Sequence, residues 1–309
     1  MAYKIPGHPS IRAYTEEIAD FWEIQAILNP SQHISNLQIS KILSIGLDEH
    51  KLDGIESEDD DVELELQEVF YELEQRRGFT AHNYPFKFKL SSIQLDDEDS
   101  FKKDIYLYLL LCTRFNMQKN KVQNGIDGTL LFEELCVIVA SNYLRVDLDH
   151  SYIFGTANSG NFEDKVRTLI KKIGEGQTFK NPNNNSPTAK DGGVDIVTWK
   201  DFADNRPSKL IAFGQCKTGT SWRDEIHKLK PRDFCDNWLY ESPVHSPIPL
   251  VFITDTLNAD FNDITSIRGF LVFNRFRIVE YLQSNVSEEI KLKVRNWLQG
   301  ALETLKSLC

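Results

Sequence analysis

The sequence predicts an α/β protein in two parts. Residues 1–125 form a mainly helical region, and residues 126–309 a mixed β-sheet flanked by helices. Three observations lead there. Apolar residues in the first part recur mostly at helical spacing. The polar stretch Gln118–Gly128 (QKNKVQNGIDG) breaks the chain. Beyond it, helical segments alternate with short apolar runs separated by turn residues, the pattern of an α/β domain.

The elements follow in order. Ile11–Ala26 places Ile, Phe, Trp and Ile at helical intervals, and Val62–Leu73 alternates acidic and apolar residues in a way that suits an amphipathic helix. The segment before it, DEHKLDGIESEDDD, is expected to be a loop. Tyr84–Ile93 (YPFKFKLSSI) alternates with period two and reads as a strand. Phe101–Phe115 reads as a buried helix. In the second part, Leu130–Leu144 is a strongly apolar helix, and Phe162–Gly174 a shorter amphipathic one ended by glycine. Asn181–Ser186 is a loop. Gly193–Trp199 and Lys209–Lys217 are strands joined through Asp204, Asn205 and Pro207, which are turn residues. Arg223–Leu239 is helical with a break at Pro231. Leu250–Asp255 and Phe270–Phe273 are further strands, and Ser287 caps a last helix that runs to Leu308.

Charge and composition exclude several classes. The net charge is −11, but 13 Lys and Arg face 22 Asp and Glu in residues 1–125, against 22 and 24 in the rest. The acidity is therefore concentrated in the first part, peaking at Glu56–Glu65, and the second part is free to present a local basic face. No apolar run approaches a membrane span, and the N-terminus has no signal-peptide layout, so the reading is a cytoplasmic protein without a membrane partner. Five scattered cysteines contain no CxxC pair, which argues against a zinc knuckle or a disulfide framework. HExxH, GxSxG and dinucleotide-loop motifs are absent. GQCKTG lacks the leading glycine spacing of a P-loop.

The chemistry lies in Lys190–Gly219. Side chains alternate across a strand, so Asp195 shares a face with Val197 and Trp199, and Gln215 and Lys217 share one with Ile211 and Phe213. A hairpin would bring Asp195 beside Gln215 and Lys217. A carboxylate and an amide oxygen are hard ligands suited to Mg²⁺. An adjacent ammonium can stabilise developing charge on a phosphate. A solvated edge-strand Asp and a strand-end Lys are the plain alternatives, but acids and lysines are seldom placed in short apolar strands without partners. Gln215 carries no charge, so a second acid is expected from a helix, with Glu133, Glu134, Glu163 and Glu175 as candidates. Cys216 points to the opposite face and reads as core. The loop Thr218–Arg223 and the cations Lys171, Lys172, Lys228, Lys230 and Arg232 are candidates for backbone contact with a nucleic acid, or plain solvated surface.

GGVDIV followed by an apolar strand ending in GQCK resembles the PD-(D/E)xK nuclease superfamily, and its Asp…Gln-x-Lys form is similar to Mrr-like restriction endonucleases. The resemblance spans roughly Leu130–Phe273. It implies a restriction-endonuclease-like core, cleavage of DNA that depends on Mg²⁺ or Mn²⁺ and leaves a 5′-phosphate, and catalytic roles for Asp195, Gln215 and Lys217. Asp195, Gln215 and the main-chain carbonyl of Cys216 would hold the metal. Such nucleases carry a Glu on a helix before the first core strand, often after Phe, which Phe132-Glu133 and Phe162-Glu163 both fit. Glu133, an acid on a largely buried helix, is preferred. A role in restriction or antiviral defence follows from the same resemblance. Two other classes compete: a catalytically inactive nuclease-fold module that binds nucleic acid or a partner protein, and an assembly subunit or homo-oligomer. The acidic run Glu56–Asp61 suits docking of a basic partner, such as an ATPase or helicase subunit.

Overall fold

A computed structural model describes residues 2–10, 13–50, 59–80, 83–155, 160–181, 193–257, 261–282 and 286–308. The chain divides into two compact units, Met1–Ile126 with Lys291–Cys309, and Asp127–Ile290.

In the first unit, helices α1 (Thr15–Leu28), α2 (Asn36–His50), α3 (Asp59–Phe79) and α4 (Phe101–Arg114) accompany strands β1 (His33–Ser35), β2 (Phe86–Lys89) and β3 (Ser92–Leu95). The period-two run at Tyr84–Ile93 is not one strand. It folds back on itself, with Lys89 opposite Ser92 and Leu90 at φ 52°, and β1 adds to β3 to make an antiparallel sheet in the order β1-β3-β2. Helix α3 is longer than its apolar pattern suggested, because it begins within the acidic run. Of Glu56–Asp61, residues 56–58 and the side chains of 59–61 lie outside the described residues. Helix α4 is capped by Ser100, whose hydroxyl accepts from the Lys103 N–H at 3.3 Å, and Ile105–Cys112 is buried throughout. A short pairing of β4 (Val122–Gln123) with β5 (Ile126–Asp127) follows.

The second unit contains α5 (Gly128–Leu144), β6 (Ser151–Ile153), α6 (Phe162–Ile173), β7 (Ile196–Lys200), β8 (Leu210–Lys217), α7 (Trp222–Glu225), α8 (Pro231–Trp238), β9 (Ile248–Ile253), α9 (Phe261–Ser266), β10 (Leu271–Phe273) and α10 (Arg275–Tyr281). Its five strands make one mixed sheet in the order β10-β9-β8-β7-β6. Strands β6, β7 and β8 run antiparallel in sequence, while β8, β9 and β10 are parallel. This is the mixed α/β architecture expected. Both faces of the sheet are covered, which explains why its strands read as continuous apolar runs. Helix α5 packs on β6, β7 and β8. On the other face Val197, Trp199, Ile211, Phe213 and Val251 join Phe162, Val166 and Leu169 of α6 and Phe234 of α8 in one core. The helix expected across Pro231 is divided, and Pro231 opens α8 at a position where its missing N–H costs nothing.

The last helix, α11 (Glu288–Leu308), departs from the two-part expectation. Residues 291–309 belong with the first unit, not with 126–290. Trp297 is fully buried, meets Tyr108 of α4 edge-on at 4.9 Å, and donates through Nε1 to the Lys121 carbonyl at 2.9 Å. Arg295 pairs with Asp104 at 2.9 Å. The helix therefore completes the apolar surface of α4, a pairing that spacing along the chain does not reveal.

The first unit also buries charge. Arg76 Nη1 lies 2.7 Å from Asp20 and 2.9 Å from Glu23, and Arg114 Nε lies 2.7 Å from the other oxygen of Asp20. The hydroxyls of Tyr84 and Tyr106 each donate to Glu23 at 2.8 Å. Burial and the Glu23 charge push the Tyr84 hydroxyl well up, so it stays a donor.

Candidate active site

The site is assembled where β7 and β8 pair. The ladder sets Ile196 opposite Gly214 and Val197 opposite Phe213, so Asp195 comes opposite Gln215. Strand β7 starts at Ile196, but Asp195 extends the ladder by donating its N–H to the Gly214 carbonyl at 2.8 Å. Its own carbonyl accepts from the N–H groups of Phe154 and Gly155, at 2.7 and 2.8 Å, just beyond β6. Its carboxylate accepts the Cys216 N–H at 2.7 Å. Burial pushes the Asp195 carboxyl up to about 6, opposed in part by that N–H and by the charge of Lys217.

Gln215 is 2% exposed, and among the described residues nothing donates to its Oε1. A buried acceptor left this way costs about 1–3 kcal/mol. Its amide packs beneath Gly193. A Cβ there would stand 3.5 Å from Gln215 Nε2 and 2.8 Å from the Lys228 carbonyl, and Gly193 also holds φ at 59°. The place thus demands glycine for both space and conformation.

Lys217 ends β8. Its ammonium donates to Glu225 of α7 at 2.6 Å, and Lys228 approaches the same oxygen at 3.7 Å. The hydrogen bond from Lys217 holds the Glu225 carboxyl below its ordinary range. Sequence reading missed Glu225, because nothing in its local pattern marks it as the partner of a strand-end lysine.

The four candidate helix acids separate clearly. Glu133 is 7% exposed on α5, and its carboxylate rests against Gly155. A Cβ on Gly155 would lie 2.6 Å from Glu133 Oε2. One turn on, the Cys136 thiol contacts Cys216, and the charges of both Asp195 and Glu133 reach this thiol pair. Burial raises both thiols, Cys216 the more strongly, so neither is poised as a thiolate, although Cys216 itself is only partly buried and Cys136 is core. Glu134, beside Glu133, is only partly buried. Glu163 is half-exposed and paired with Arg167 at 2.6 Å. Glu175 is buried, but it accepts three main-chain N–H groups, from Ser208, Lys209 and Val244, at 2.9–3.0 Å. It is a clamp on two loops. The fold therefore gathers Glu133, Asp195, Gln215, Cys216 and Lys217, and leaves Glu163 and Glu175 apart.

The remaining candidates are placed as follows. Trp222, in the loop considered for nucleic-acid contact, is fully buried and donates to Asp255 at 3.0 Å, so it is core. Arg223 lies over the Trp222 ring at 4.3 Å and 3.7 Å from Asp255. Lys230 and Arg232 sit near Asp233 and Asp236, at 3.9 and 3.7 Å, whereas Lys171 and Lys172 are exposed on α6.

Among the described residues no cluster of three or more His, Cys, Asp and Glu is arranged to hold a metal ion. What the site offers instead is the partly exposed carboxylate of Asp195, the buried carboxylate of Glu133, and the buried amide oxygen of Gln215, which has no donor among the described residues. These are oxygen ligands, and they fit a hard divalent ion in kind. Gly155→Ala tests the packing that assembles it. The added methyl must displace Glu133, and the expected cost is about 1–3 kcal/mol, read as a lower denaturation midpoint.

No protein-family profile matches the chain, and neither does any curated protein or solved structure. Among the described residues no helix is long and apolar enough to cross a membrane.

Proposed function

We propose that this chain is a divalent-metal-dependent endonuclease acting on DNA, with its centre at Asp195, Gln215 and Lys217 and with Glu133 as the second acid. One observation carries the reading. A desolvated carboxyl and a donorless amide oxygen stand at opposite positions of two paired strands, with a lysine two residues beyond the amide. Neither the desolvated carboxyl nor the donorless amide favours the fold by itself, and both become favourable against a cation.

Asp195, Gln215 Oε1 and the Cys216 carbonyl would hold Mg²⁺ or Mn²⁺. Bound there, the ion would lower the pKa of a coordinated water and offset phosphate charge. The rest of the work falls to the chain. Lys217 offers an ammonium to the reacting phosphate, and Glu225 steers it until substrate arrives. The Cys216 N–H fixes the Asp195 carboxylate. Roles in the cytoplasm and in restriction or antiviral defence, with an ATPase or helicase subunit or a second copy as partner, rest on the resemblance to Mrr-like enzymes and on reduced cysteines.

The test is nicking of supercoiled DNA with Mg²⁺ or Mn²⁺. Lys217→Ala is expected to slow it by about 100-fold or more with folding unchanged, and EDTA to abolish it. Cleavage that survives both would overturn the reading. A second reading is favoured by the Lys217–Glu225 ion pair, which already occupies the proposed catalytic lysine: a nuclease-fold module that binds without cutting. It predicts DNA or protein binding indifferent to EDTA, and no Mn²⁺ bound to the wild type.

A further inference from the structure

Lys165 lies on α6 and is 3% exposed. A buried ammonium without compensation is strongly unfavourable. Here Nζ donates to the Gly155 carbonyl at 2.8 Å and to the Phe154 carbonyl at 3.2 Å. The N–H groups of the same two residues both bind the Asp195 carbonyl, at 2.7 and 2.8 Å. Gly155 is also the residue whose missing side chain makes room for the Glu133 carboxylate. The Phe154–Gly155 segment is thus hydrogen-bonded to the main chain of Asp195 and the ammonium of Lys165, and its glycine packs against the carboxylate of Glu133. Burial lowers the Lys165 amine, and the Glu133 charge works against that.

We propose that Lys165 is a positioning residue of the candidate site. Pinned to the Phe154 and Gly155 carbonyls, its ammonium is a fixed positive charge that helps keep the Glu133 carboxylate against Gly155. The inference rests on the nuclease reading for its catalytic meaning, but not for the coupling itself. Lys165 reaches no solvent-facing surface, so it acts through Glu133 and not on DNA. Neither the Gln-x-Lys motif nor the Phe-Glu pattern assigns it a part.

The experiment compares wild type, Lys165→Met, Lys165→Arg, Glu133→Gln and the double variant Lys165→Met/Glu133→Gln. Single-turnover cleavage, DNA half-saturation and the thermal midpoint are measured for each. Lys165→Met is expected to lower the cleavage rate about tenfold or more, with DNA half-saturation unchanged within about twofold. Lys165→Arg, which keeps the charge, should recover most of the rate. The double variant should be no slower than Glu133→Gln alone, because residues that act as a unit are not additive. Multiplied losses in the double variant, or a rise in DNA half-saturation that accounts for the whole effect, would overturn the proposal. If Lys165→Met does not fold, Lys165→Gln removes the same charge with donors kept and carries the same expectation. If wild type cleaves nothing, the nuclease reading fails while this one remains testable. The thermal midpoint of the double variant should then match that of the worse single variant. Additive drops would refute the coupling.

Discussion

Asp195→Asn is expected to abolish metal-dependent cleavage and at the same time to stabilise the chain at pH 7 by about 1–3 kcal/mol. Loss of activity follows from losing the one charged ligand. The gain in stability follows from burial, which lifts the Asp195 carboxyl from its ordinary 3.8 to about 6. Between those values the folded chain holds a proton that the unfolded chain has released. Protonation therefore favours the fold, and stability contributed by this group falls as pH rises from about 4 to about 6. The whole penalty is present at pH 7, where the displacement corresponds to about 3 kcal/mol as an upper bound. Asn carries no charge to desolvate and can still accept the Cys216 N–H, but its amide donors need partners, which sets the lower end. Urea unfolding of both proteins between pH 4 and pH 7 checks this. The difference should be near zero at the acid end and grow to favour the variant. Saturating Mn²⁺ should reverse the order, since an ion that binds only the folded wild type adds about 2.7 kcal/mol at one hundred times its Kd. A variant less stable than wild type at pH 7 without metal would mean that Lys217 and the Cys216 N–H outweigh desolvation at Asp195.

How much of this was legible in the sequence depends on where the signal lay. The helices at Phe101–Arg114 and Gly128–Leu144 and the strands at Ile196–Lys200 and Leu210–Lys217 are long apolar runs, and burial on all sides leaves few other folds for them. The juxtaposition of Asp195 and Gln215 was equally legible, because register in a hairpin follows from alternation and turn length. Short elements escaped. Strand β6 has three residues, yet the main chain just past it supports Asp195. The turn at Leu90 escaped because a leucine at positive φ breaks the usual turn chemistry. Glu133 and Glu163 both follow Phe on a helix; Glu163 pairs with Arg167 one turn along the same helix, whereas the contact of Glu133 with Gly155 is made only by the fold. Lys165 and Glu225 are charged residues in amphipathic stretches, where solvent is the ordinary expectation, and their partners lie on other elements. The fold was readable from patterns within segments, whereas the site's supporting shell consists of contacts between them.

Arg76→Ala is expected to destabilise the first unit by about 3–5 kcal/mol, the largest stability loss predicted for a single substitution in this chain. The guanidinium is fully buried and serves three carboxylates, Asp20 at 2.7 Å and Glu23 and Glu72 at 2.9 Å, besides the Glu16 carbonyl at 3.1 Å. Removing it takes a cation from both Asp20, which keeps Arg114, and Glu23, which keeps the hydroxyls of Tyr84 and Tyr106. Two carboxylates then share one fewer cation in a place that water does not reach, so most of the cost comes from uncompensated charge and less from lost contact. That distinction can be measured. Adding Glu23→Gln to Arg76→Ala should recover about 1–2 kcal/mol, because a neutral amide is far cheaper to bury than a carboxylate. Glu23→Gln in an otherwise unchanged chain should destabilise. Chemical denaturation followed by tryptophan fluorescence reads both, since Trp22 is fully buried on the same helix as Asp20 and Glu23. A loss below about 1 kcal/mol for Arg76→Ala, or a double variant weaker than the single, would show that the network is solvated in solution and that α1 and α3 are held by apolar packing alone.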